Sequence, residues 1–524
     1  MMLMRDFLRR CAETRSSKVA YIDGDTRATW ADLYQRSGKL ASALTTLGVR
    51  KGDTVAILAF DHLEVVEHFF ACAQIGAVRV GINRGYSAKE MAHVVRDSNA
   101  KAVIVQNKCC GLIGEFLPQF REESRILIGF GDKHGLDCDY EKLLTSAIAP
   151  ASLPEIQDDD PIAISYTSGT TGYPKGVIFR QRGVLDMSTY FTQAVGLRQE
   201  DVWLNPTSMA WATIILNVMS VVNGMTTVLQ GSDFKADNFL GLCSRHKVTS
   251  IVVVPVMLQR LLASLETDKS RFDLSSLRLV SYGSAPASTS LIRSAIDTLG
   301  VQMVQLYGLT ECGAWATYLS HEDHLLALAG REEILKSCGK AWLNCDVSIR
   351  NEEGEPVPHG EMGELWIRSS TRMLGYHNLP ELTAQSFHGE WLRTHDIGRQ
   401  DAEGYIYLTD RKHFLIITGA ANVFPSIVEN TIAAHPAVRE VAVVGAPHPE
   451  WGEAVVAMVA LREGREATSA EIIEHCQGKI AKWEVPKFIE IVSDLPKGPT
   501  LKILKNQIRD RYRNSPSLLP WVMP

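Results

Sequence analysis

The 524-residue chain lacks several features that would narrow its class. No apolar run reaches the roughly 20 residues needed to span a membrane. No strongly basic segment accompanies the net charge of −6, which argues against coating of nucleic acid. Residues 1–10 lack the apolar core and cleavage site of a signal peptide. We therefore expect a globular cytoplasmic protein with no nucleic-acid partner and no membrane span.

The ten cysteines also lack the spacing that is typical of metal ligands. Cys109 and Cys110 are adjacent, and the other eight are scattered. We expect reduced thiols packed as small core residues, without a structural zinc site. The length exceeds one ordinary hydrophobic core, so two or more domains are predicted.

Helix and strand patterns alternate along most of the chain. Residues 29–105 alternate in this way, and apolar strands recur at 248–254, 277–281 and 301–306. This pattern predicts an α/β fold with mainly parallel sheet. The last two strands run into glycine-containing turns, and open α/β sheets bind ligands beyond the carboxyl ends of their strands. We therefore expect these turns to share one crevice.

The pattern of predicted helices and strands changes in the last third of the chain. Short strands and turns over about 345–410 predict a β-rich subdomain, and the final segment mixes helices with strands. We predict a large N-terminal domain of stacked α/β sheets over 1–410, including that subdomain. A small α+β C-terminal domain is predicted over 411–524.

Residues 166–176 form a loop dense in glycines and hydroxyls, with one lysine near its end. Glycines let the backbone approach a ligand, and successive N–H groups then cradle an anion. Lys175 adds a mobile positive charge suited to phosphate. A Walker A loop is excluded, because Pro174 precedes this lysine and Gly176 follows it. The loop predicts a polyphosphate site.

A second motif, residues 307–311, places Tyr307, Thr310 and Glu311 on one turn after a strand. The ring can stack on adenine, and the hydroxyl and carboxylate oxygens suit Mg²⁺. Taken alone, the motif is better explained as an ordinary turn with a capping threonine.

The loop at 166–176 resembles the phosphate-loop signature of the adenylate-forming superfamily. This superfamily comprises acyl- and aryl-CoA synthetases, peptide-synthetase adenylation domains and luciferases, and the resemblance runs from about residue 29 to 505. The turn at 307–311 matches its Tyr-Gly-x-Thr-Glu motif. Residues 283–286 resemble its adenine-flanking loop, and residues 391–398 its ribose-binding segment.

Three further matches lie in the last quarter of the chain. Asp410 and Arg411 resemble the pair that precedes the small domain, and Lys502 falls on the catalytic-lysine position of residues 495–505. Residues 446–453 resemble a segment seen in many acyl-CoA synthetases. The resemblance is therefore closest to acyl- or aryl-CoA ligases, in which the small domain is mobile and rotates between two half-reactions.

The resemblance implies roles for individual residues. Catalysis is implied for Lys502, Glu311 and Thr167, and Mg²⁺ binding for Thr167 and Glu311. Binding of ATP or AMP is implied for Thr167, Ser168, Gly169, Thr170, Thr171, Gly172, Lys175, Gly283, Ser284, Ala285, Pro286, Tyr307, Gly308, Thr310, Asp396, Arg411 and Lys502.

The resemblance also implies an acid pocket, a CoA-facing loop and a hinge. The loop would contain Gly419 and Ala420, and the hinge residue would be His413. A nearby tryptophan and tyrosine favour an aryl or medium-length acid over a long chain. By motif position, the pocket is lined by Met209, Trp211, Tyr282, Gly308, Cys312 and Gly313.

Several positions depart from the family pattern. Met209 stands where an aromatic residue or histidine usually gates the acid pocket, and His395 replaces a glycine. His413 stands where the hinge normally carries aspartate or lysine. Ala420 and Leu501 replace glycines, so their side chains restrict how closely a ligand can approach the backbone. The second half-reaction is therefore less securely predicted than the first.

The leading hypothesis is an ATP- and Mg²⁺-dependent acid–thiol ligase that forms an acyl-adenylate and transfers the acyl group to CoA. A second keeps adenylation but changes the acceptor to a carrier protein or an amine, or activates an oxyacid such as nitrite for N–N bond formation. A third is a nucleotide-binding protein without catalysis. A monomer or a homodimer fits each of them.

Overall fold

The computed structural model describes residues 2–147, 153–167, 173–285, 287–411, 414–419, 421–498 and 503–522. The side chains of Arg411 and Asn422 lie outside this description. The chain divides into two compact units. The first comprises residues 1–347, 367–393 and 403–405, and the second comprises residues 348–366, 394–402 and 406–524.

Strands are distributed along the whole described chain. In chain order they are β1 (Val19–Asp23), β2 (Thr26–Thr29), β3 (Thr54–Leu58), β4 (Val78–Gly81), β5 (Ala102–Gln106), β6 (Ile126–Phe130), β7 (Cys138–Asp139), β8 (Pro161–Thr167), β9 (Lys175–Arg180), β10 (Val202–Leu204), β11 (Thr226–Leu229), β12 (Ser250–Val253), β13 (Leu279–Gly283), β14 (Gln302–Tyr307), β15 (Thr317–Leu319), β16 (Lys340–Ala341), β17 (Cys345–Arg350), β18 (Gly363–Ser369), β19 (Gly375–Tyr376), β20 (Phe387–His388), β21 (Trp391–Gln400), β22 (Ile406–Arg411), β23 (Ile416–Thr418), β24 (Ala421–Val423), β25 (Val438–His448), β26 (Gly452–Leu461) and β27 (Phe488–Val492).

Helices separate most of these strands. In chain order they are α1 (Met4–Thr14), α2 (Trp30–Thr46), α3 (Leu63–Ile75), α4 (Ala88–Asp97), α5 (Cys110–Ile113), α6 (Leu117–Glu122), α7 (Tyr140–Ser146), α8 (Gln181–Ala194), α9 (Ile214–Val218), α10 (Ser220–Asn223), α11 (Ala236–His246), α12 (Pro255–Thr267), α13 (Thr289–Leu299), α14 (His321–Leu328), α15 (Pro380–Ser386), α16 (Pro425–Ala433), α17 (Ser469–Cys476) and α18 (Lys505–Asn514). No helix of the described residues is both long and apolar enough to cross a lipid bilayer.

Two large sheets form the first unit. One has the order β16-β15-β14-β13-β12-β10-β11-β1-β2, and the other has the order β19-β9-β8-β4-β3-β5-β6-β7. Their central strands run parallel, as in the β12–β13–β14 and β4–β3–β5 pairings. The expected α/β fold class, with mainly parallel sheet in the large domain, is confirmed.

The sequence explains why these layers form. Strands β3 and β5 are buried along their whole length and apolar except for Thr54 and Gln106, as expected for parallel strands covered on both faces. Helix α2 begins with a capping box, in which the Thr29 hydroxyl accepts the Asp32 N–H at 3.1 Å. One hydrophobic cluster joins residues of both sheets, such as Ile57 and Leu306, with Phe69 of α3. The two sheets therefore share a single core layer.

A third sheet has the order β17-β18-β21-β20, with β22 paired to β21. Its residues are divided between the two units. In the second unit, a fourth sheet has the order β24-β23-β26-β25, with β27 paired to β26. Valines and isoleucines of this sheet pack with Val428 of α16 and Ile472 of α17 in a separate hydrophobic cluster.

The close pairing of β13 and β14 generates a stability prediction. A Cβ atom at Gly283 would lie 2.2 Å from the Leu306 carbonyl oxygen, so Gly283→Ala forces two backbones apart. We expect a loss of about 2 kcal/mol in the free energy of unfolding. Gly241 of α11 is the matched control, because its added Cβ would meet nothing within 4 Å. Gly241→Ala should leave stability unchanged or raise it by about 0.5–1 kcal/mol. Equal effects in chemical denaturation would contradict this account.

Candidate active site

The phosphate loop is carried by an antiparallel pair of strands. Strands β8 and β9 pair with Tyr166 opposite Gly176 and Thr167 opposite Lys175. Thr167 and Lys175 are both half-buried at the open end of this pair. The pairing therefore brings together two residues, one hydroxyl and one ammonium, that the sequence assigns to ATP phosphates.

Tyr166 anchors the base of the loop. Its hydroxyl donates to Asp97 Oδ2 at 2.6 Å, and its carbonyl oxygen accepts from the Tyr86 hydroxyl at 3.1 Å. Burial, together with the Asp97 carboxylate, raises the pKa of Tyr166 well above its usual range, so the hydroxyl stays a donor. The Asp97 carbonyl also accepts from Asn378 Nδ2 at 2.9 Å. This anchor joins segments distant in sequence, and no local motif signals it.

The Glu311 turn follows β14 in the other large sheet. Glu311 is half-buried, its Oε1 accepts from the Tyr376 hydroxyl at 2.7 Å, and its carbonyl oxygen accepts the Met373 N–H at 2.9 Å. Glu311 Oε2 accepts no hydrogen bond from the residues that the structure describes. The carboxylate is thus oriented through one oxygen. Sequence reasoning missed Tyr376.

Neighbouring strand ends bring the adenine-flanking loop close to this turn. Strands β13 and β14 are parallel, with Gly283 opposite Leu306. Ser284 and Ala285 are exposed directly after β13, and Gly308 follows β14. The two segments that the sequence assigns to adenine therefore leave the sheet at one edge.

The residues assigned to the acid pocket have contrasting surroundings. Tyr282 is fully buried, and its hydroxyl lies 2.8 Å from Nε2 of His324, whose pKa burial lowers to about 4. Cys312 is also buried, and its carbonyl oxygen accepts from the Thr371 hydroxyl at 2.8 Å. Gly313 adopts a φ of 89°. Whether they line an acid pocket stays a prediction.

Met209 and Trp211 lie on the segment that follows β10. Met209 is fully buried, whereas Trp211 is half-buried. Tyr86, which binds the Tyr166 carbonyl, also interacts with the Trp211 side chain. This tyrosine connects the acid segment to the base of the phosphate loop.

The second unit holds the segment assigned to ribose. Asp396 is buried on β21 and pairs in register with Arg411 of β22. The preceding His395 has a φ of 60°, which explains the family's glycine at this position. His395 Nδ1 lies 3.3 Å from Glu364 Oε1. The backbone therefore places the two predicted ribose residues opposite each other.

The second unit also holds a cavity of about 580 Å³ beside the loop assigned to CoA. The Gly419 N–H donates to the Trp451 carbonyl at 2.8 Å, which joins this loop to the segment at 446–453. The cavity lining includes Phe414, Gly419, Trp451, Glu453, Arg509 and Arg513. Aromatic and cationic groups therefore converge here.

Several predicted site residues fall outside the described structure. They come from the phosphate loop, the adenine-flanking loop, the hinge, the CoA-facing loop and the C-terminal motif. These residues are Ser168, Gly169, Thr170, Thr171, Gly172, Pro286, His413, Ala420 and Lys502, together with the side chain of Arg411.

Comparison with known proteins identifies the family. The AMP-binding enzyme family matches residues 8–377, and the AMP-binding enzyme C-terminal domain matches residues 427–502. The chain belongs to the AMP-binding enzyme family. The predicted membership of the adenylate-forming superfamily is confirmed. The protein is an AMP-forming ligase of this family.

Relatives that align over nearly the whole chain are named for different reactions. The chain is 33% identical to the long-chain-fatty-acid–CoA ligase FadD13 of Mycobacterium tuberculosis, over 96% of this chain and 97% of that protein. It is 29% identical to the fatty acid–[acyl-carrier-protein] ligase ScoC of Streptomyces coeruleorubidus, over 92% and 91%. The amide bond synthetase McbA of Marinactinospora thermotolerans shares the fold, with a TM-score of 0.86, 29% identity and coverage of 97% and 99%.

The oxygen ligands predicted at Glu311 and Thr167 suit a magnesium ion that binds together with a nucleotide. The described residues contain no group of three or more histidine, cysteine or acidic side chains that could hold a metal. Magnesium is commonly bound through one or two carboxylates plus substrate phosphates, with waters completing the shell. One oriented carboxylate, with the Thr167 hydroxyl as the second predicted ligand, suits that mode.

The Tyr376–Glu311 hydrogen bond generates a prediction about magnesium. Tyr376→Phe removes the donor that orients Glu311, so we expect about a tenfold higher Mg²⁺ requirement for adenylation. Tyr405→Phe is the matched control, because it deletes a similar bond of 2.6 Å to Asp323 in the same unit. The control should alter thermal stability but not the Mg²⁺ titration. Identical Mg²⁺ titrations for Tyr376→Phe and the unmodified protein would contradict the positioning role.

Proposed function

We propose that this ligase activates a carboxylic acid with ATP and then transfers the acyl group to CoA. The observation that carries the proposal is the Gly419–Trp451 contact beside the 580 Å³ cavity. It places a motif typical of CoA synthetases next to the loop assigned to CoA. The full-length similarity to a CoA ligase supports the same activity.

In the first half-reaction, a carboxylate oxygen of the acid attacks the α-phosphorus of ATP. The bond to the bridging oxygen breaks, and pyrophosphate leaves. Thr167 and Lys175, which are paired across β8 and β9, are the proposed ligands of the departing phosphates, which carry most of the negative charge. Magnesium bound at Glu311 would neutralise part of this charge. Lys502 is the proposed donor to the α-phosphate and the acid carboxylate.

In the second half-reaction, the CoA sulfur attacks the acyl carbon and AMP leaves with the bonding electron pair. The thiol proton passes to solvent. CoA carries several negative phosphate charges, and Arg509 and Arg513 line the cavity that we assign to it. Trp451 adds an aromatic ring, which can pack against an adenine or a pantetheine chain.

A change of acceptor is the second candidate. The chain aligns almost completely with relatives named for a carrier protein and for amide bond synthesis. One departure from the family pattern, Ala420, also lies in the loop assigned to CoA. Both observations leave adenylation intact and concern only the group that receives the acyl chain.

Product analysis separates these candidates. The protein is incubated with ATP, Mg²⁺ and a panel of aryl and aliphatic acids, with CoA, a phosphopantetheinyl carrier protein or a primary amine as acceptor. We expect acyl-CoA and AMP in equal amounts, detected by mass spectrometry. Acyl-carrier or amide product, with no thioester to CoA, would overturn the CoA assignment.

The cationic lining of the cavity generates a prediction about CoA affinity. Arg513→Gln removes a positive charge from the lining, so we expect the KM for CoA to rise about fivefold to tenfold. Arg511→Gln is the matched control on the same helix, with 49% exposure against 48% for Arg513. Arg511 binds Glu490 instead of lining this cavity. Equal KM values for CoA in both variants would contradict the assignment of this cavity.

A further inference from the structure

Two side chains of opposite charge hold the backbone of Met209. Asp61, in the turn after β3, accepts the Met209 N–H at 2.8 Å through Oδ1. Arg79 of β4 donates through Nη2 to the Met209 carbonyl oxygen. Both peptide groups that flank Met209 are therefore bound, one by an anion and one by a cation.

Arg79 is poorly explained as a stabilising residue. It is 0% exposed, and the opposite charge of Asp61 attracts it without a direct hydrogen bond between the two side chains. Its Nε and Nη1 groups have no hydrogen-bond partner among those residues. Burying an arginine with unsatisfied donors costs free energy that one neutral acceptor does not recover. A role in the site accounts for its presence better than stability does.

Both side chains remain charged at neutral pH. Burial raises the pKa of Asp61 to about 6 and lowers the pKa of Arg79 to about 10. Hydrogen bonds to ionised groups are stronger than those between neutral groups. The two contacts to Met209 are thus both of the stronger kind.

Gly81 provides a third restraint on the same segment. A Cβ atom at this position would lie 2.2 Å from the Ala210 carbonyl oxygen and 2.6 Å from Arg79 Nη2. Strand β4 and the Met209 segment therefore approach as closely as their backbones permit. Any larger residue at this position would displace the segment, the guanidinium or both.

We propose that Asp61 and Arg79 are positioning residues that fix Met209 and thereby set which acids the protein activates. The proposal rests on the proposed activation of an acid and on the family resemblance, which implies that Met209 gates the acid pocket. Because both flanking peptide groups are held, the segment cannot move aside for a larger acid. Only the pliable methionine side chain is left to adapt.

The test compares Arg79→Met with Arg79→Lys over an acid panel, measured by pyrophosphate release. Arg79→Met loses the donor to Met209, so we expect KM values for acids to shift about tenfold and their ranking to change. The KM for ATP should stay within about twofold, because the phosphate loop keeps its own anchors. Arg79→Lys can still donate, so it should restore the original ranking.

Thermal stability separates positioning from a structural role. Arg79→Met removes one of the positive charges that attract the buried Asp61 carboxylate, and removing one member of a buried charge pair is destabilising. Arg79→Met should therefore melt at a lower temperature, so a control with a similar loss is needed. Arg278→Met is the control, because Arg278 is ion-paired with the buried Asp201 in the same unit. It should lower the melting temperature and leave the acid ranking unchanged.

A double variant completes the test. In a Met209→Ala background the gate side chain is absent, so adding Arg79→Met should change the acid ranking far less. An unchanged ranking in Arg79→Met, or an equal change with and without Met209, would overturn the proposal. Absence of acid-dependent pyrophosphate release in the unmodified protein would instead refute the proposed function, so the two failures are distinguishable.

Discussion

The antiparallel pairing of β8 with β9 is the interaction on which the candidate site depends. It places Thr167 opposite Lys175, and the hydrogen bond between Tyr166 and Asp97 stabilises it. Antiparallel pairing at this point ends the parallel order of the sheet and brings residues 167 and 175 side by side. A lysine and a threonine from opposite ends of a loop can therefore reach one phosphate group.

Residues that we predict to bind ligands in the first unit are oriented by contacts with residues outside their own motifs. Glu311 is held by Tyr376, the phosphate loop by Asp97, and Met209 by Asp61 and Arg79. Each support comes from a different helix, strand or turn of the unit. Such support fixes side chains before a ligand arrives, which reduces the entropy lost on binding.

The sequence predicted the α/β fold because apolar periodicity marks buried parallel strands such as β3 and β5. The residues that orient the site were not predictable. Asp61, Arg79 and Tyr376 belong to no sequence motif, and each contacts a residue that is distant in the sequence. Helix ends were not predictable either: α17 ends at Cys476, just before Gly478, which adopts a φ of 73°. Glycine in that conformation stops a helix whose apolar pattern continues.

The most direct test of the account is acid-dependent exchange of labelled pyrophosphate into ATP, measured without any acceptor. Reversible adenylation requires only the first half-reaction, so the result does not depend on whether CoA is the acceptor. We predict exchange with at least one acid of a broad aryl and aliphatic panel, and its loss in Lys175→Ala. ATP binding without exchange for every acid, or full exchange in Lys175→Ala, would contradict the account.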